Sequence, residues 1–358
     1  MSNPLLRVHL SVIRRNTEAI VKKCAGYGIS VWGVTKGLSA PVELAAAMRD
    51  TGITAIADSR LANIKRMKNA GIDLPFALIR IPMRSELEEM LDYADISMAS
   101  DLGTLTELAA LCEKKKKNHA VILMVDLGDL REGFLTNQVE EVASAVSKLN
   151  PLLRIMGVGV NFACASGVLA NSESLQKLLV FGGVIESALG RKLEIYSGGG
   201  TAKSLAKIDE GLFPAGINNL RIGEGCLLGT DKCYRADIPW LQKGTMELEA
   251  ELVEVRVKPT LPVGEIGLDA FGNAPCFEDR GNRLRGILAV GKQDVYIDSL
   301  TPLDEGVQII TASSDHLLVD LEECPEKPKV GDILKFRPAY PAMLSLSTSP
   351  YVTKVYED

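Results

Sequence analysis

Apolar, strand-like runs alternate with helical patterns through the first two thirds of the chain. Eight runs are typical of β-strands buried on both faces: Ile29–Lys36, Ile53–Ser59, Phe76–Pro82, Ile96–Asp101, Ala120–Gly128, Arg154–Phe162, Glu194–Gly200 and Asn218–Gly225. Short turns join them to helical patterns at Val42–Thr51, Arg60–Ala70, Arg84–Tyr93, Leu105–Lys116, Gln138–Leu149, Ser172–Leu189 and Ala202–Glu210. Buried strands that alternate with helices pair in parallel through right-handed crossovers. Eight such units over about 230 residues predict a closed (β/α)₈ barrel of the TIM type.

The pattern differs at both ends of this region. Leu5–Leu10 predicts a short strand and Ser11–Gly26 a helix. From about Gly244 the strands follow one another without helices: Met246–Val257, Arg285–Val290, Gln308–Ala312, Leu317–Leu321 and Ile333–Phe336. We therefore predict an α/β protein with a barrel over residues 11–235 and a C-terminal all-β domain over 240–358, on which an N-terminal strand within 1–10 packs.

Composition and charge narrow the class of protein. Hydrophobic residues make up 46% of the 358 and charged residues 24%, which is typical of a globular protein with a sizeable core. The net charge of -6 gives no electrostatic case for nucleic acid or an anionic membrane. The seven cysteines include no Cys-x-x-Cys pair, which favours a reducing compartment and no structural zinc. The N-terminus resembles no signal peptide and no apolar run reaches membrane-spanning length, so we expect a cytoplasmic protein.

Lys36 closes the first buried run and precedes turn-forming residues. A lysine at such a position either extends its ammonium to solvent or is buried, and burial lowers its pKa. A neutral amine is a nucleophile that forms a Schiff base with an aldehyde. The stretch alone leaves both interpretations open.

Other chemically capable side chains also stand at the ends of the runs. Reactive groups in a barrel of this kind lie at the carboxyl ends of its strands. Those ends carry Lys36, Asp58, Arg80, Asp101, Asp126 with Arg131, Asn161, the turn Gly198–Thr201, and Arg221.

The glycine turn favours a phosphate ligand. Ser197-Gly-Gly-Gly-Thr201 closes the seventh run and is predicted to lead into a helix, which presents backbone N–H groups and a hydroxyl to an anion. Gly223-Glu-Gly225 supplies a second glycine-rich end, at the close of the eighth run. The alternative is a turn whose glycines only provide positive φ angles.

A phosphate site and a strand-end lysine at one barrel mouth together suggest pyridoxal 5′-phosphate, joined through its aldehyde to Lys36. Arg221 would then face the pyridine nitrogen. An arginine there disfavours protonation of that nitrogen, which favours removal and return of a proton over transamination. Arg221 as a structural ion-pair partner of Glu224 or another acidic residue is the alternative.

Eight short motifs stand in a fixed order along the chain: Val34-Thr-Lys36, Asp126-Leu-Gly-Asp-Leu-Arg131-Glu-Gly133, Gly159-Val-Asn-Phe162, Ser197-Gly-Gly-Gly-Thr201, Leu220-Arg-Ile-Gly223, Gly264-Glu-Ile-Gly-Leu-Asp-Ala-Phe-Gly272, Gly291-Lys-Gln-Asp-Val295 and Ala312-Ser-Ser-Asp-His316. In order and placement they resemble those of the alanine racemase family, most closely its ornithine racemase branch. The resemblance covers nearly the whole chain. It implies an isomerase that interconverts the L- and D-forms of an amino acid, most closely ornithine, with lysine or a broader range as possibilities.

The resemblance also implies roles for individual residues. Lys36 would hold the cofactor and move the α-proton on one face, Arg131 would hold the substrate carboxylate or the cofactor hydroxyl, and Arg221 would meet the ring nitrogen. Asn161 stands where alanine racemases have a histidine packed on the ring. The phosphate would be held by Ser197, Gly199, Gly200, Thr201, Gly223 and the backbone N–H of Glu224. A head-to-tail homodimer is implied, in which the β domain of one subunit completes the barrel mouth of the other.

The chain departs from alanine racemases at the second acid–base residue. Lys292 stands where their tyrosine would be, yet racemisation needs a proton donor and acceptor opposite Lys36. The candidates are His316, whose imidazole is suited to the task, Lys292 and Asp294. The phosphate-binding tyrosine that often follows the lysine motif is also missing. Asp269 is a candidate partner for a cationic substrate side chain, with surface charge as the alternative.

Four other functions remain open at this stage. They are an alanine or serine racemase, a non-catalytic pyridoxal-phosphate carrier, an aldolase or decarboxylase on the same two-domain plan, and a cofactor-free racemase that uses Cys164 and Cys226. The long β domain argues against a single-barrel carrier, and a two-cysteine racemase would not need the glycine turn.

Overall fold

The structure, a computed structural model, describes residues 3–234 and 236–358. The predicted end of the barrel at residue 235 and the first two residues of the predicted opening strand lie outside these ranges. The chain divides into two compact units, one over residues 10–243 and one formed by the N-terminal segment up to His9 together with Gly244–Asp358. Each unit is described separately below.

A closed barrel of eight parallel strands forms the unit over residues 10–243, as the alternating pattern predicts. Its strands are β2 (Ser30–Val34), β3 (Ala55–Asp58), β4 (Phe76–Leu78), β5 (Ile96–Ala99), β6 (His119–Val125), β7 (Leu153–Val160), β8 (Ile195–Ser197) and β9 (Asn219–Ile222). The ring closes where β2 pairs with β9, with Gly33 opposite Ile222.

Helices connect the barrel strands. They are α1 (Leu10–Ala25), α2 (Val42–Arg49), α3 (Leu61–Asn69), α4 (Leu87–Tyr93), α5 (Leu102–Lys115), α6 (Val139–Val146), α7 (Ser172–Leu189) and α8 (Glu224–Leu228), and a short hairpin of β10 (Thr230–Asp231) and β11 (Ala236–Asp237) follows. None of the helices in the described ranges is long and apolar enough to cross a membrane.

One predicted helix, Ala202–Glu210, is wrong. The segment makes consecutive turns and only a 3₁₀ turn at Ile208–Glu210. Lys203 has φ +62°, a left-handed conformation that ends a right-handed helix, and its backbone N–H donates to Asp231 at 2.5 Å. A tertiary contact therefore overrides the helical spacing of the buried Leu205 and Ile208.

Small and large side chains together fill the inside of the barrel. Alternate positions of five strands contribute to one buried cluster: Trp32, Val34, Ala55, Ala57, Ala77, Ile96, Met98, Ala120, Ile122 and Met124. Alternate residues of a strand point to the same face, so the cluster is a packed core and the chemistry is left to the strand ends.

The second unit is built on an eight-stranded sheet. Its strands are β1 (Leu5–His9), β12 (Met246–Pro259), β13 (Asn282–Leu288), β14 (Leu300–Pro302), β15 (Gln308–Ala312), β16 (Leu317–Asp320), β17 (Ile333–Pro338) and β18 (Thr353–Glu357), with one helix, α9 (Tyr340–Thr348). The N-terminal strand β1 pairs with β12 and with β18 inside this sheet.

Two neighbouring glycines of α7 offer a matched test of the helix–barrel packing. A Cβ atom at Gly182 would lie 2.2 Å from the Tyr196 ring, whereas one at Gly183 would meet no atom within 4 Å. We expect Gly183→Ala to raise the free energy of unfolding by about 0.5–1 kcal/mol because alanine favours the helix. Gly182→Ala gains the same helix propensity, yet overpacking should lower the net stability by about 1–3 kcal/mol. Urea unfolding followed by circular dichroism measures both values, and equal effects would contradict this packing.

Candidate active site

The turn that carries Lys36 is held in a strained conformation. After β2 the chain forms a 3₁₀ turn at Lys36–Leu38, and Ser39 and Ala40 then adopt φ angles of +56° and +49°. Left-handed conformations are costly for residues other than glycine, so two in succession need support. The Arg66 guanidinium supplies it by donating to the Ser39 carbonyl and, at 2.8 Å, to the Ala40 carbonyl.

A buried aspartate extends this support. The Asp58 carboxylate accepts hydrogen bonds from Thr35 Oγ1 at 2.8 Å and from Asn63 Nδ2 at 2.9 Å. Asn63 Oδ1 in turn accepts from Arg66 at 3.0 Å. Burial raises the pKa of Asp58, and these hydrogen bonds oppose that shift. Asp58, a strand-end candidate, thus fixes the residue that precedes Lys36.

The Lys36 amine is partly buried and has no hydrogen-bond partner among the described residues. Burial is the main cause that lowers its pKa; Cys164 and Asp58 act in the opposite direction, and the cations Arg131 and Arg221 add to the lowering. No hydrogen bond or ion pair of its Nζ occurs within the described residues. A lysine with these properties is suited to act as a nucleophile.

Arg221, on β9, is buried at the carboxyl end of the barrel. Its exposed fraction is 6% and burial lowers its pKa to about 10, so it remains a cation at neutral pH. Its guanidinium donates to Ser197 Oγ, to the Val160 carbonyl at 2.7 Å and to Asn161 Oδ1 at 2.8 Å. These bonds use three of the five N–H groups. Among the described residues the Glu224 carboxylate binds Thr230 and Lys232 and forms no ion pair with Arg221.

Arg131 and Asn161 meet through Glu132. The Arg131 guanidinium binds the Glu132 carboxylate with Nε and with Nη2, the latter at 2.5 Å. Asn161 Nδ2 donates to the same carboxylate at 2.5 Å. The predicted residues Arg131, Asn161 and Arg221 therefore form one hydrogen-bonded group.

Ser197 stays a predicted phosphate-binding residue, but its hydroxyl already has two partners within the protein. Ser197 is fully buried, and its Oγ donates to Asn219 Oδ1 at 2.5 Å while it accepts from Arg221. The hydroxyl therefore orients the arginine. The turn after it does not enter a helix, so the helix N-terminus expected there is absent from the described Ala202–Lys207 segment.

The glycine turn nevertheless offers anion-binding groups. Gly199 has φ +115°, and a Cβ at Gly200 would lie 3.2 Å from the Arg221 carbonyl. The turn therefore presents backbone rather than side chains at these two positions. The backbone N–H groups of Gly200, Thr201 and Glu224 have no acceptor among the described residues. Such N–H groups bind phosphate oxygens.

The two glycine-rich loops are joined to each other. Gly225 N–H donates to Thr201 Oγ1 at 3.2 Å. The Glu224 carboxylate turns away to accept from Thr230 Oγ1 and the Lys232 N–H, each at 2.9 Å, which leaves only its backbone N–H for a ligand. Gly223 lies close to Val34 on β2, since a Cβ there would come within 3.2 Å of the Val34 side chain.

Three other strand-end candidates have structural partners. Arg80 binds the Glu86 carboxylate at 2.7 Å, Asp101 accepts the Thr104 N–H at 2.6 Å and caps α5, and Asp126 accepts the N–H groups of its own loop at 2.8 and 3.2 Å. A position at a strand end thus places a side chain at the carboxyl end of the barrel. It does not by itself distinguish side chains that bind a ligand from side chains with a structural role.

The candidates of the β domain form a separate group. Lys292 Nζ lies 3.8 Å from Asp269 Oδ2 and 3.9 Å from the centre of the Phe271 ring. The Lys292 N–H donates to the Ser313 carbonyl at 2.9 Å, and the exposed His316 closes the same Ser313 turn. The structure therefore brings Asp269, Lys292 and His316 to one region of this domain.

Asp294 differs from its neighbours. It is 8% exposed, and its carboxylate accepts the Ser349 hydroxyl at 2.8 Å. The acid–base role of Asp294 stays a prediction; in this position the carboxylate is buried and has a hydroxyl partner, as buried polar groups generally do.

Several residues of the site were not identified from the sequence. Asp129 is 2% exposed and accepts the N–H groups of Cys164, Ala165 and Ser166, each at 3.1 Å, which fixes the loop after β7. Glu132 and Asn219 were also missed. A signal existed for Asn219, an amide within a buried strand, and for Glu132, which stands next to Arg131. No cluster of three or more metal-ligating side chains occurs among the described residues.

The fold and these groups define a two-domain barrel protein with an amine, two guanidinium groups and an anion-binding surface at its carboxyl mouth. The chain belongs to the family described as alanine racemase, N-terminal domain, whose model matches residues 8–229. This confirms the family that the sequence motifs resemble.

Two full-length relatives have amino-acid racemase names. The chain is 40% identical to a lysine racemase of Thermotoga maritima, over 100% of this chain and 99% of the relative. It is 39% identical to an ornithine racemase of Acetoanaerobium sticklandii, over 98% and 99%.

Solved structures share the two-domain fold at low sequence identity. An alanine racemase from D-cycloserine-producing Streptomyces lavendulae aligns over 100% of this chain and 98% of its own, with a TM-score of 0.78 and 15% identity. The alanine racemase from Bartonella henselae, solved with covalently bound pyridoxal phosphate, aligns over the whole of both chains with a TM-score of 0.76 and 16% identity. The predicted barrel with a C-terminal β domain is thus confirmed.

The support of the Lys36 turn can be measured. We expect Arg66→Lys to lower the free energy of unfolding by about 1–2 kcal/mol, because an ammonium does not span both the Ser39 and Ala40 carbonyls as the planar guanidinium does. Arg49→Lys makes the same change at an exposed side chain of α2. It should shift the free energy of unfolding by less than about 0.5 kcal/mol. Equal losses in urea unfolding would show that the guanidinium does not stabilise the turn.

Proposed function

We propose that this chain is a pyridoxal-phosphate-dependent racemase that interconverts the L- and D-forms of a basic amino acid, ornithine or lysine. The observation that carries the proposal is the Lys36 amine, partly buried and with a lowered pKa, at the barrel mouth that Arg221 also enters. The full-length relatives named lysine racemase and ornithine racemase support the reaction and both substrates equally.

The residues of the barrel mouth fit the cofactor. The N–H groups of Gly200, Thr201 and Glu224 would hold its phosphate, Lys36 would hold its aldehyde carbon, and the remaining N–H groups of Arg221 would face its ring nitrogen. When bound, pyridoxal phosphate stabilises the negative charge that develops when an amino acid loses its α-proton. The structure with covalently bound pyridoxal phosphate, although it is only a fold relative, supports this choice.

The chain's own residues would control the proton. Lys36 Nζ would accept and return the α-proton on one face of the substrate, aided by its lowered pKa. Arg131 would orient the substrate carboxylate or the cofactor hydroxyl. Arg221 stays a cation and would leave the ring nitrogen without a proton, which favours return of the proton to the α-carbon.

The opposite face requires a second acid–base group. We propose His316 for this role, because its side chain is exposed and a neutral imidazole carries one donor and one acceptor nitrogen. Lys292 is the alternative, although the Asp269 carboxylate and the Phe271 ring both attract its ammonium within the β domain. Asp269 would bind the cationic end of the substrate, and backbone and side-chain hydrogen bonds from Asn273 keep its pKa low enough for it to remain charged.

A homodimer is part of the proposal. The β-domain segment over residues 261–277 exposes six large apolar side chains: Leu261, Val263, Ile266, Leu268, Phe271 and Phe277. Val263 alone is 98% exposed. A concentrated set of exposed apolar residues marks a protein contact, and the resemblance supports a head-to-tail arrangement in which this domain completes the partner's barrel mouth.

The first test concerns cofactor and reaction together. We expect the purified protein to be yellow, and borohydride reduction to fix the cofactor on Lys36, as located by peptide mass spectrometry. Incubation with L-ornithine, L-lysine or L-alanine in deuterated water should incorporate deuterium at the α-carbon and abolish optical rotation, faster for the two basic substrates. Lys36→Ala should prevent both the deuterium incorporation and the loss of optical rotation. Lys65→Ala, which removes a partly exposed ammonium on α3, is the control.

Other results would change the assignment. A protein that stays colourless after addition of cofactor would overturn it. Colour without exchange would indicate a carrier, and exchange without inversion would mean that the second acid–base group is absent.

The second test concerns that group. We expect His316→Ala to slow α-proton exchange from one enantiomer about a hundredfold and to affect the other enantiomer much less, because each face has its own proton carrier. Asp315→Ala, in the same turn, is the control for local folding. An equal loss for both enantiomers would contradict the role of His316, and Lys292→Met then tests the alternative.

A further inference from the structure

Glu132 holds the centre of the barrel mouth. Its carboxylate accepts hydrogen bonds from two groups of the Arg131 guanidinium and, at 2.5 Å, from Asn161 Nδ2. The Glu132 side chain is 18% exposed and that of Arg131 is 36% exposed, so the pair is partly removed from water. A two-pronged carboxylate–guanidinium contact fixes both direction and distance, which a single ion contact does not.

The contact with Glu132 also orients Asn161. Because Nδ2 donates to Glu132, the amide oxygen is directed to Arg221, from which it accepts at 2.8 Å. The order Arg131, Glu132, Asn161, Arg221 therefore contains two cations, one anion and one amide, and Glu132 and Asn161 link the two guanidinium groups. Loss of the carboxylate would release the arginine and the amide at once.

The charge of Glu132 bears on the two cations that act on Lys36. Arg131 and Arg221 both act on the Lys36 amine in the direction that lowers its pKa. The two guanidinium groups also repel each other, and Glu132 opposes the effect of Arg131 on Arg221. Glu132 is a negative charge that binds Arg131 directly and is linked to Arg221 through Asn161, so it partly offsets both cations.

We propose that Glu132 is a positioning residue for the reaction: it fixes Arg131 and Asn161 and partly balances the two guanidinium charges that act on Lys36. The inference rests on the proposed function, since it assigns Glu132 a part in the same site. Glu132 acts through Arg131 and Asn161.

The test compares three variants as holoenzymes loaded with pyridoxal phosphate. Glu132→Gln keeps the shape of the side chain but removes its charge and places an amide next to cationic donors. Glu132→Asp keeps the charge. Glu140→Gln, the control, removes an equal charge from an exposed side chain of α6. The measurements are the pH midpoint of the change in visible absorption, kcat and KM for L-lysine and L-ornithine, and the melting temperature of each protein.

For Glu132→Gln we expect kcat/KM to fall about tenfold to a hundredfold, because a misplaced binding group costs orders of magnitude. The midpoint should move to lower pH by about half a unit, since unbalanced positive charge disfavours a protonated nitrogen at Lys36. Glu132→Asp should restore most of the midpoint, and Glu140→Gln should match the wild type.

The possible outcomes separate the two proposals. If Glu132→Gln lowers only the melting temperature, or matches Glu140→Gln in midpoint and rate, the positioning role is wrong while the racemase assignment stands. A wild-type protein without a visible band after loading would overturn the proposed function and this inference with it.

Discussion

The site depends on a guanidinium buried inside the barrel mouth. Moving a charge out of water is costly unless hydrogen bonds and opposite charge compensate for it. Arg221 meets this requirement with the Val160 carbonyl, the Asn161 amide and the Ser197 hydroxyl, which come from the ends of β7 and β8. The register of three neighbouring strands is therefore tied to one side chain, and the same side chain sets the electrostatic character of the surface that the cofactor would meet.

Two supports, one on each side of the mouth, hold the lysine and the arginines. Asp58, Asn63 and Arg66 fix the turn that carries Lys36 through hydrogen bonds within the protein. Glu132 and Asn161 connect Arg131 to Arg221 on the other side. Each support uses one carboxylate and at least one amide, so the reactive groups are positioned by short polar contacts and the apolar core of the barrel contributes only the frame.

The barrel, and the end of it that carries the candidate residues, were predictable because both follow from the periodicity of the apolar residues. Strands buried on both faces and separated by helices leave few other topologies, and strand ends then point to Lys36, Arg221 and the glycine turn. Contacts between distant residues were not predictable. The spacing of Leu205 and Ile208 is helical, but the Lys203 N–H donates a hydrogen bond to the Asp231 carboxylate instead of to a helix carbonyl. Ser197 has the right residue type for phosphate, yet its hydroxyl binds Arg221 and Asn219, which no local pattern shows.

The left-handed pair Ser39 and Ala40 has a consequence for how Lys36 moves. Arg66 binds the backbone carbonyl of Ala40 after the lysine and Asp58 binds the residue before it, so the backbone is restrained on both sides of Lys36. The amine therefore travels by torsion about its own four methylene groups alone. The positions that the amine can reach are therefore set by the side-chain rotamers of Lys36 rather than by loop motion.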